Sequence, residues 1–142
     1  MSIPSGIEAG TALETRTYPV TRADLVRYAG ASGDFNPIHW SDRVAGVVGL
    51  PGVIAHGMLT QALAARAVAE WTADWADGSP AQVVELGAKF TNPVVVPDDD
   101  TGIDLVVAAT VKAVDGDLVT LALEVTAGGT KVLGNPRAVV RA

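Results

Sequence analysis

The sequence has no cysteine, which excludes disulfide scaffolds, thiolate metal sites and cysteine nucleophiles together. It has only two histidines, His39 and His56, too few for an all-histidine zinc site. Basic charge is scarce. Ten Lys and Arg stand against sixteen Asp and Glu, a net charge of −6. A binder of phosphate backbones needs clustered cations, so no nucleic-acid partner is expected. No stretch reaches the ~18 consecutive apolar residues of a membrane span. Asp42, Arg43, Arg66, Glu70 and Asp104 interrupt the most apolar regions. The first residues, Met1 to Glu8, lack the basic start and apolar run of a signal peptide. These absences together lead to the expectation of a cytoplasmic protein with no membrane segment. Neither a repeat nor a low-complexity linker is visible. A length of 142 residues fits a single domain, 1–142, able to bury roughly 68–70% of its unfolded surface. Proton chemistry in such a chain falls to carboxylates and one or both histidines.

What is present reads as helix first and strand later. Glu14 to Tyr18 is predicted as a short strand. Thr21 opens a helix through a Thr21-x-x-Asp24 capping pattern. Leu25, Val26 and Ala29 supply its apolar face, and Ser32-Gly33 its stop. Gly33 to Pro37 is a loop, because Asn36 before proline avoids helical angles. Ser41 caps a short helix over Asp42 to Val47. Val48 to Gly57 is a second loop, broken by Gly49, Pro51, Gly52 and Gly57. From Met58 to about Ala73 the pattern is helical and rich in alanine, which lets the helix approach other backbone closely. Trp71 and Trp75 close its end by packing. Val83 to Phe90 is a strand, and Ile103 to Ala113 alternates with period two. Asp115-Gly116 signals a hairpin. Val119 to Val125 returns, Gly128-Gly129 turns, and Thr130 to Arg141 is the last strand. The fold class is α+β, one long helix against a curved antiparallel sheet.

Both histidines flank the second loop. The first ends the string Tyr28-Ala-Gly-Ala-Ser-Gly-Asp34-Phe-Asn36-Pro-Ile-His39. A carboxylate and an imidazole that reach one substrate atom or one water can move protons in both directions, and histidine titrates near neutrality. Gly33 and Pro37 pre-organise the turn. Taken singly, Asp34 and Asn36 are equally ordinary turn residues and His39 an ordinary buried histidine. Taken together, the string points to proton chemistry.

Tyr28, Ser32, Gly33, Asp34, Asn36, Pro37, Ile38 and His39 resemble the signature of the MaoC-like, hotdog-fold (R)-specific hydratases and dehydratases. Ala55-His56-Gly57-Met58-Leu59 is similar to a second element of that family, and Lys89-Phe90-Thr91-Asn92-Pro93-Val94 extends the likeness. Tyr18 to Leu25, Asn36 to Trp40, Val47 to Leu50 and Ala55 to Thr60 look most like the catalytic subunits of mycobacterial-type (3R)-hydroxyacyl-carrier-protein dehydratases.

The resemblance implies a single hotdog domain and a catalytic pair, Asp34 and His39. His39 would take the α-proton of a 3-hydroxyacyl thioester, and Asp34 would assist loss of the hydroxyl as water. Asn36 would position the pair. The Gly57 N–H, at the helix start, would receive the thioester oxygen. Tyr28, His56, Met58 and Thr60 are candidate substrate contacts, with His56 more readily read as shaping the helix entrance. Tyr28, Phe35, Trp40, Val53, Ile54, Met58 and Leu63 would line an acyl tunnel. The reaction class implies no cofactor, no metal and no covalent intermediate. The substrate would be an acyl-carrier-protein thioester of fatty-acid elongation, with a coenzyme A thioester as the alternative. Arg43, Lys89 or Arg137 would form a local basic patch for an acidic carrier. Open sheet edges imply a homodimer, or a heterodimer with another hotdog subunit. A hotdog thioesterase or a non-catalytic hotdog subunit would not need the Asp34/His39 turn.

Overall fold

The computed structural model describes residues 2–75 and 77–142; Met1, at the edge of the expected domain, and Ala76 lie outside the described residues. The elements run β1 (Arg16–Val20), α1 (Arg22–Ser32), a one-turn 3₁₀ helix (Pro37–His39), α2 (Asp42–Val47), α3 (Gly57–Asp74), β2 (Gln82–Phe90), β3 (Ile103–Asp115), β4 (Leu118–Ala127), β5 (Thr130–Lys131) and β6 (Leu133–Arg141). One antiparallel sheet has the order β1-β3-β4-β6-β2, with β5 beside β4. β1 and β2 are its two edges.

Local chemistry accounts for most boundaries. Thr21 and Asp24 form a reciprocal capping box, and Gly33 ends α1 in the left-handed region at φ 76°. Leu25 and Ala29 are buried, four apart on one face, whereas Val26 is exposed and does not share it. β1 starts at Arg16 rather than Glu14 because the Trp71 indole N–H donates to the Glu14 carbonyl at 2.6 Å, taking that residue out of the ladder. The tight turn lies one residue later than the sequence suggests. Asp115 pairs with Leu118, so Gly116-Asp117 is the loop, and Gly116 carries the positive φ of 61°. The last strand is split at buried Val132, where the Thr91 N–H donates to its carbonyl and its own N–H bonds Val125.

The core lies between α3 and the sheet. Leu105, Val107, Ala109 and Val111 alternate inward from β3, and Val119, Leu121, Leu123 and Val125 from β4. Each of these Val and Leu side chains contributes ~1.5–3 kcal/mol on full burial. α3 presents Ala64, Ala67, Val68 and Trp71 to them. The small residues let about 27 Å of helix sit close to the sheet, and Trp71 fills the far end.

Thr72, fully buried, ties α3 to β2. Its hydroxyl donates to Val68 O at 2.9 Å and accepts the Ala81 N–H at 3.0 Å. Thr72→Val leaves that buried N–H without a partner. Urea denaturation should show a loss of ~1–3 kcal/mol, largely recovered by Thr72→Ser.

Candidate active site

The turn after α1 is built from side chain to main chain bonds. Asp34 Oδ1 accepts the Asn36 N–H at 3.1 Å, and Asn36 Oδ1 accepts the Ile38 N–H at 3.2 Å. Asn36 therefore caps the 3₁₀ turn that carries His39, with Pro37 at its first position. The structure gives Asn36 this capping role at the turn that carries His39.

The second half of the site arrives on residues 53–56. Val53 donates to Asp42 Oδ1 at 3.0 Å, Ile54 N–H to Ile38 O at 3.1 Å, and Ala55 N–H to Val94 O at 2.8 Å. Arg22 completes the clamp, with Nη2 on Asp42 Oδ1 at 2.9 Å and Nε on Val96 O at 2.6 Å. This lays the segment between the dyad turn and residues 94–96 and delivers His56 to Asp34.

Two carbonyls then set the tautomers. His39 Nδ1 lies 2.7 Å from Ile54 O. A carbonyl only accepts, so Nδ1 carries the proton and the neutral ring keeps a lone pair on Nε2. That Nε2 is 3.8 Å from Asp34 Oδ2, with His39 8% and Asp34 51% exposed at the side chain. The separation exceeds a hydrogen bond and leaves each group free for a different atom of one ligand. His56 Nε2 donates to the Asp34 carbonyl at 3.1 Å. The two imidazoles stack at 3.8 Å and 24°. Tyr28 packs on His56 at 4.7 Å, tilted by 60°.

Asp34, His39 and His56 bring ligand atoms within 4.8 Å of one another. The rings are nearly parallel, however, and imidazole lone pairs lie in the ring plane, so they do not converge on one ion. The arrangement fits proton transfer better than a metal.

Beside His39 lies a slot of about 350 Å³ lined by Ile54, Gly57, Thr60, Phe90, Val94 and Leu133 among others. Among the described residues, neither the Gly57 nor the Met58 N–H has an acceptor at this start of α3. Both are available to an oxyanion. A Cβ on Gly57 would stand 3.0 Å from the Phe90 ring, which explains the glycine. Phe90 is the residue that sequence reasoning missed. Its signal was the Lys89 to Val94 segment, of which only Lys89 carried an expected role.

The expected seven-residue tunnel is corrected. Ile54 lines the slot, but Val53 is turned into the core, and Phe35, Trp40 and Met58 are exposed at the surface. Tyr28 and Leu63 line a different cleft of about 720 Å³ with Arg16, Tyr18, Arg66 and Glu70. That larger cleft includes neither Asp34 nor His39, and three of its polar groups bind one another. The Tyr18 hydroxyl donates to Glu70 at 2.8 Å, and Arg66 binds the other oxygen at 2.7 Å. Burial, then that bond, push the Tyr18 phenol up to about 12. Of the expected basic patch, Arg137 is paired with Glu85 at 3.1 Å. Arg43 and Lys89 have no ion pair among the described residues.

A family model described as the MaoC like domain matches residues 5–128. The chain is 40% identical over 78 residues to 3-hydroxyacyl-thioester dehydratase X of Mycobacterium tuberculosis, covering 55% of this chain and 25% of that protein. It is 42% identical over 76 residues to the fatty acid synthase subunit beta of Aspergillus oryzae, covering 54% of this chain and 4% of that protein. A solved MaoC-like dehydratase superposes with a TM-score of 0.84 at 33% identity, over 96% of this chain and 41% of that one. The chain thus spans a quarter or less of these curated relatives.

The Asp42 clamp yields a pH-dependent outcome. The Val53 N–H, and then Arg22, hold the Asp42 carboxyl below its ordinary range. A depressed folded value means that this contribution is present above the unfolded carboxylate pKa and is lost as pH falls through the folded value, below about 4. Hydrogen exchange should show the Val53 amide protected at neutral pH and losing protection in that acid window. In Asp42→Ala the protection should be missing at neutral pH as well.

Proposed function

Because the chain belongs to the family of the MaoC like domain and has its hotdog fold, we propose that it is a hydro-lyase interconverting (3R)-hydroxyacyl and trans-2-enoyl thioesters. The observation that carries this reading is the bare Nε2 of His39, 3.8 Å from the Asp34 carboxylate, at an apolar slot that also holds the Gly57 N–H.

The chemistry follows from those groups. In dehydration His39 Nε2 takes the proton from C2, and charge builds on the thioester oxygen. That oxygen lies against the free N–H groups of Gly57 and Met58, where the dipole of α3 favours negative charge. The C3–O bond then breaks. A proton delivered to the departing oxygen through Asp34 makes it water, and the electrons of the C2–H bond become the new double bond. One proton is taken and one returned, so the dyad ends as it began. Hydration runs the same steps backward. Thr60, buried on α3 beside His39, contacts the substrate from the slot wall.

The acyl group is carried by an acyl carrier protein in fatty-acid elongation, in the cytoplasm. The unpaired cations of Arg43 and Lys89, on segments flanking the site, support an anionic carrier. The working unit is a homodimer or a heterodimer with a second hotdog subunit. The exposed Val83 and Val84 on edge strand β2 support such a pairing.

His39→Ala and Asp34→Asn should each lower turnover of crotonyl thioesters by ~10²–10⁴-fold with unchanged circular dichroism. Near-native turnover in either variant would refute the dyad. The same assay compares crotonyl-coenzyme A with a long-chain enoyl-carrier-protein thioester, with and without candidate partner subunits. Preference for the carrier protein supports the elongation reading. Strong activity of the lone chain on short coenzyme A esters replaces it with an (R)-specific enoyl-coenzyme A hydratase. Release of free acid indicates a thioesterase, and no turnover indicates a non-catalytic subunit.

A further inference from the structure

His56 has no part in the proton steps above, yet it is among the most enclosed polar side chains, at 2% exposure. It occupies the N-cap position of α3 but makes no side-chain capping bond. Its Nε2–H goes across to the Asp34 carbonyl, and its Nδ1 is buried without a partner among the described residues. A histidine kept only to start the helix would turn Nδ1 toward the first-turn N–H groups. This one is turned the other way, onto His39 and Asp34.

We propose that His56 is a positioning residue of the dyad, a permanently neutral imidazole that fixes Asp34 through its carbonyl and His39 through ring stacking. The inference rests on the hydro-lyase reading and deepens it. Because His56 directly precedes Gly57, its bond to Asp34 O also sets the distance between the proton-moving turn and the oxyanion N–H groups. One side chain thus holds both halves of the site in register.

Neutrality is required by the geometry. His39 becomes a cation when it takes the C2 proton, and the His56 ring is 3.8 Å away. A charge on His56 would oppose that step. The titratable groups facing His56 are Tyr28 from α1, Asp34 from the loop and His39 from the 3₁₀ turn. With Nε2–H committed to a carbonyl, protonation could occur only at the enclosed Nδ1. Burial holds His56 below the usual histidine range; the hydrogen bond to the Asp34 carbonyl pulls the other way by less, and the neighbouring His39 adds a further downward push.

The test combines kinetics with a signal independent of turnover. Nitrogen-15 NMR of the imidazoles should show His56 as the neutral Nε2–H form across the neutral and mildly acidic pH range. His56→Phe keeps a stacking ring and loses the donor. It should lower kcat by ~10²-fold, the cost of a small misplacement, with KM changed only a few-fold. His56→Gln restores a donor for Asp34 O and should recover part of kcat. A protonated His56 at neutral pH, or full kcat in a folded His56→Phe, would overturn the proposal. If His56→Phe does not fold, the wild-type NMR titration decides. The NMR result also separates this inference from the reaction assignment. A neutral, untitrated His56 together with active Asp34→Asn and His39→Ala variants would sink the hydro-lyase reading instead.

Discussion

The site depends on a four-residue extended segment, Val53 to His56, held by its backbone between two other parts of the chain. The Val53 N–H is taken by Asp42, the Ile54 N–H by Ile38, and the Ala55 N–H by Val94. The Val53 carbonyl accepts from Val96 and the Ile54 carbonyl from His39. Fixing each residue costs ~1–2 kcal/mol of conformational entropy, and these bonds offset it. The Ile54 carbonyl has two consequences at once. It anchors the segment, and it forces the proton of His39 onto Nδ1, so the lone pair of Nε2 lies on the side of Asp34.

Charge at the site follows from the same backbone. Two cationic imidazoles at 3.8 Å would repel by ~4 kcal/mol at an effective dielectric of about 20. The arrangement avoids this by dividing exposure unequally. His39 borders the slot and is open to a ligand through Nε2, whereas His56 is sealed beneath Tyr28 with Nε2–H spent on a carbonyl.

Much of this was legible in the sequence because local chemistry decides it. The Thr21/Asp24 capping box, the Gly33 stop, the Ser41 cap and the period-two pattern of β3 all act within a few residues. The turn that carries Asp34, Asn36 and His39 was legible for the same reason, since its bonds stay within a few residues. The turn at Gly116, the division of the last strand and the start of β1 at Arg16 depend on register and on a Trp71 bond formed across the fold. Short-range pattern does not encode such contacts. The partition of Tyr28, Val53, Ile54 and Leu63 among core, slot and a second cleft was equally invisible, because each is simply apolar.

The unequal exposure of the dyad has a further physical meaning. His39 is enclosed while half of the Asp34 side chain faces water, beside exposed Phe35 and Trp40. Trp40 donates its indole N–H to the Phe35 carbonyl at 3.0 Å, which braces these residues as a rim. Phe90 stands exposed at the other side of the slot, against Gly57. An aromatic rim of this kind costs free energy in water and gains it when covered. A ligand that covers it would shed water from Asp34 and strengthen its interaction with His39. The carboxylate is therefore left open by the fold and completed by what binds to it.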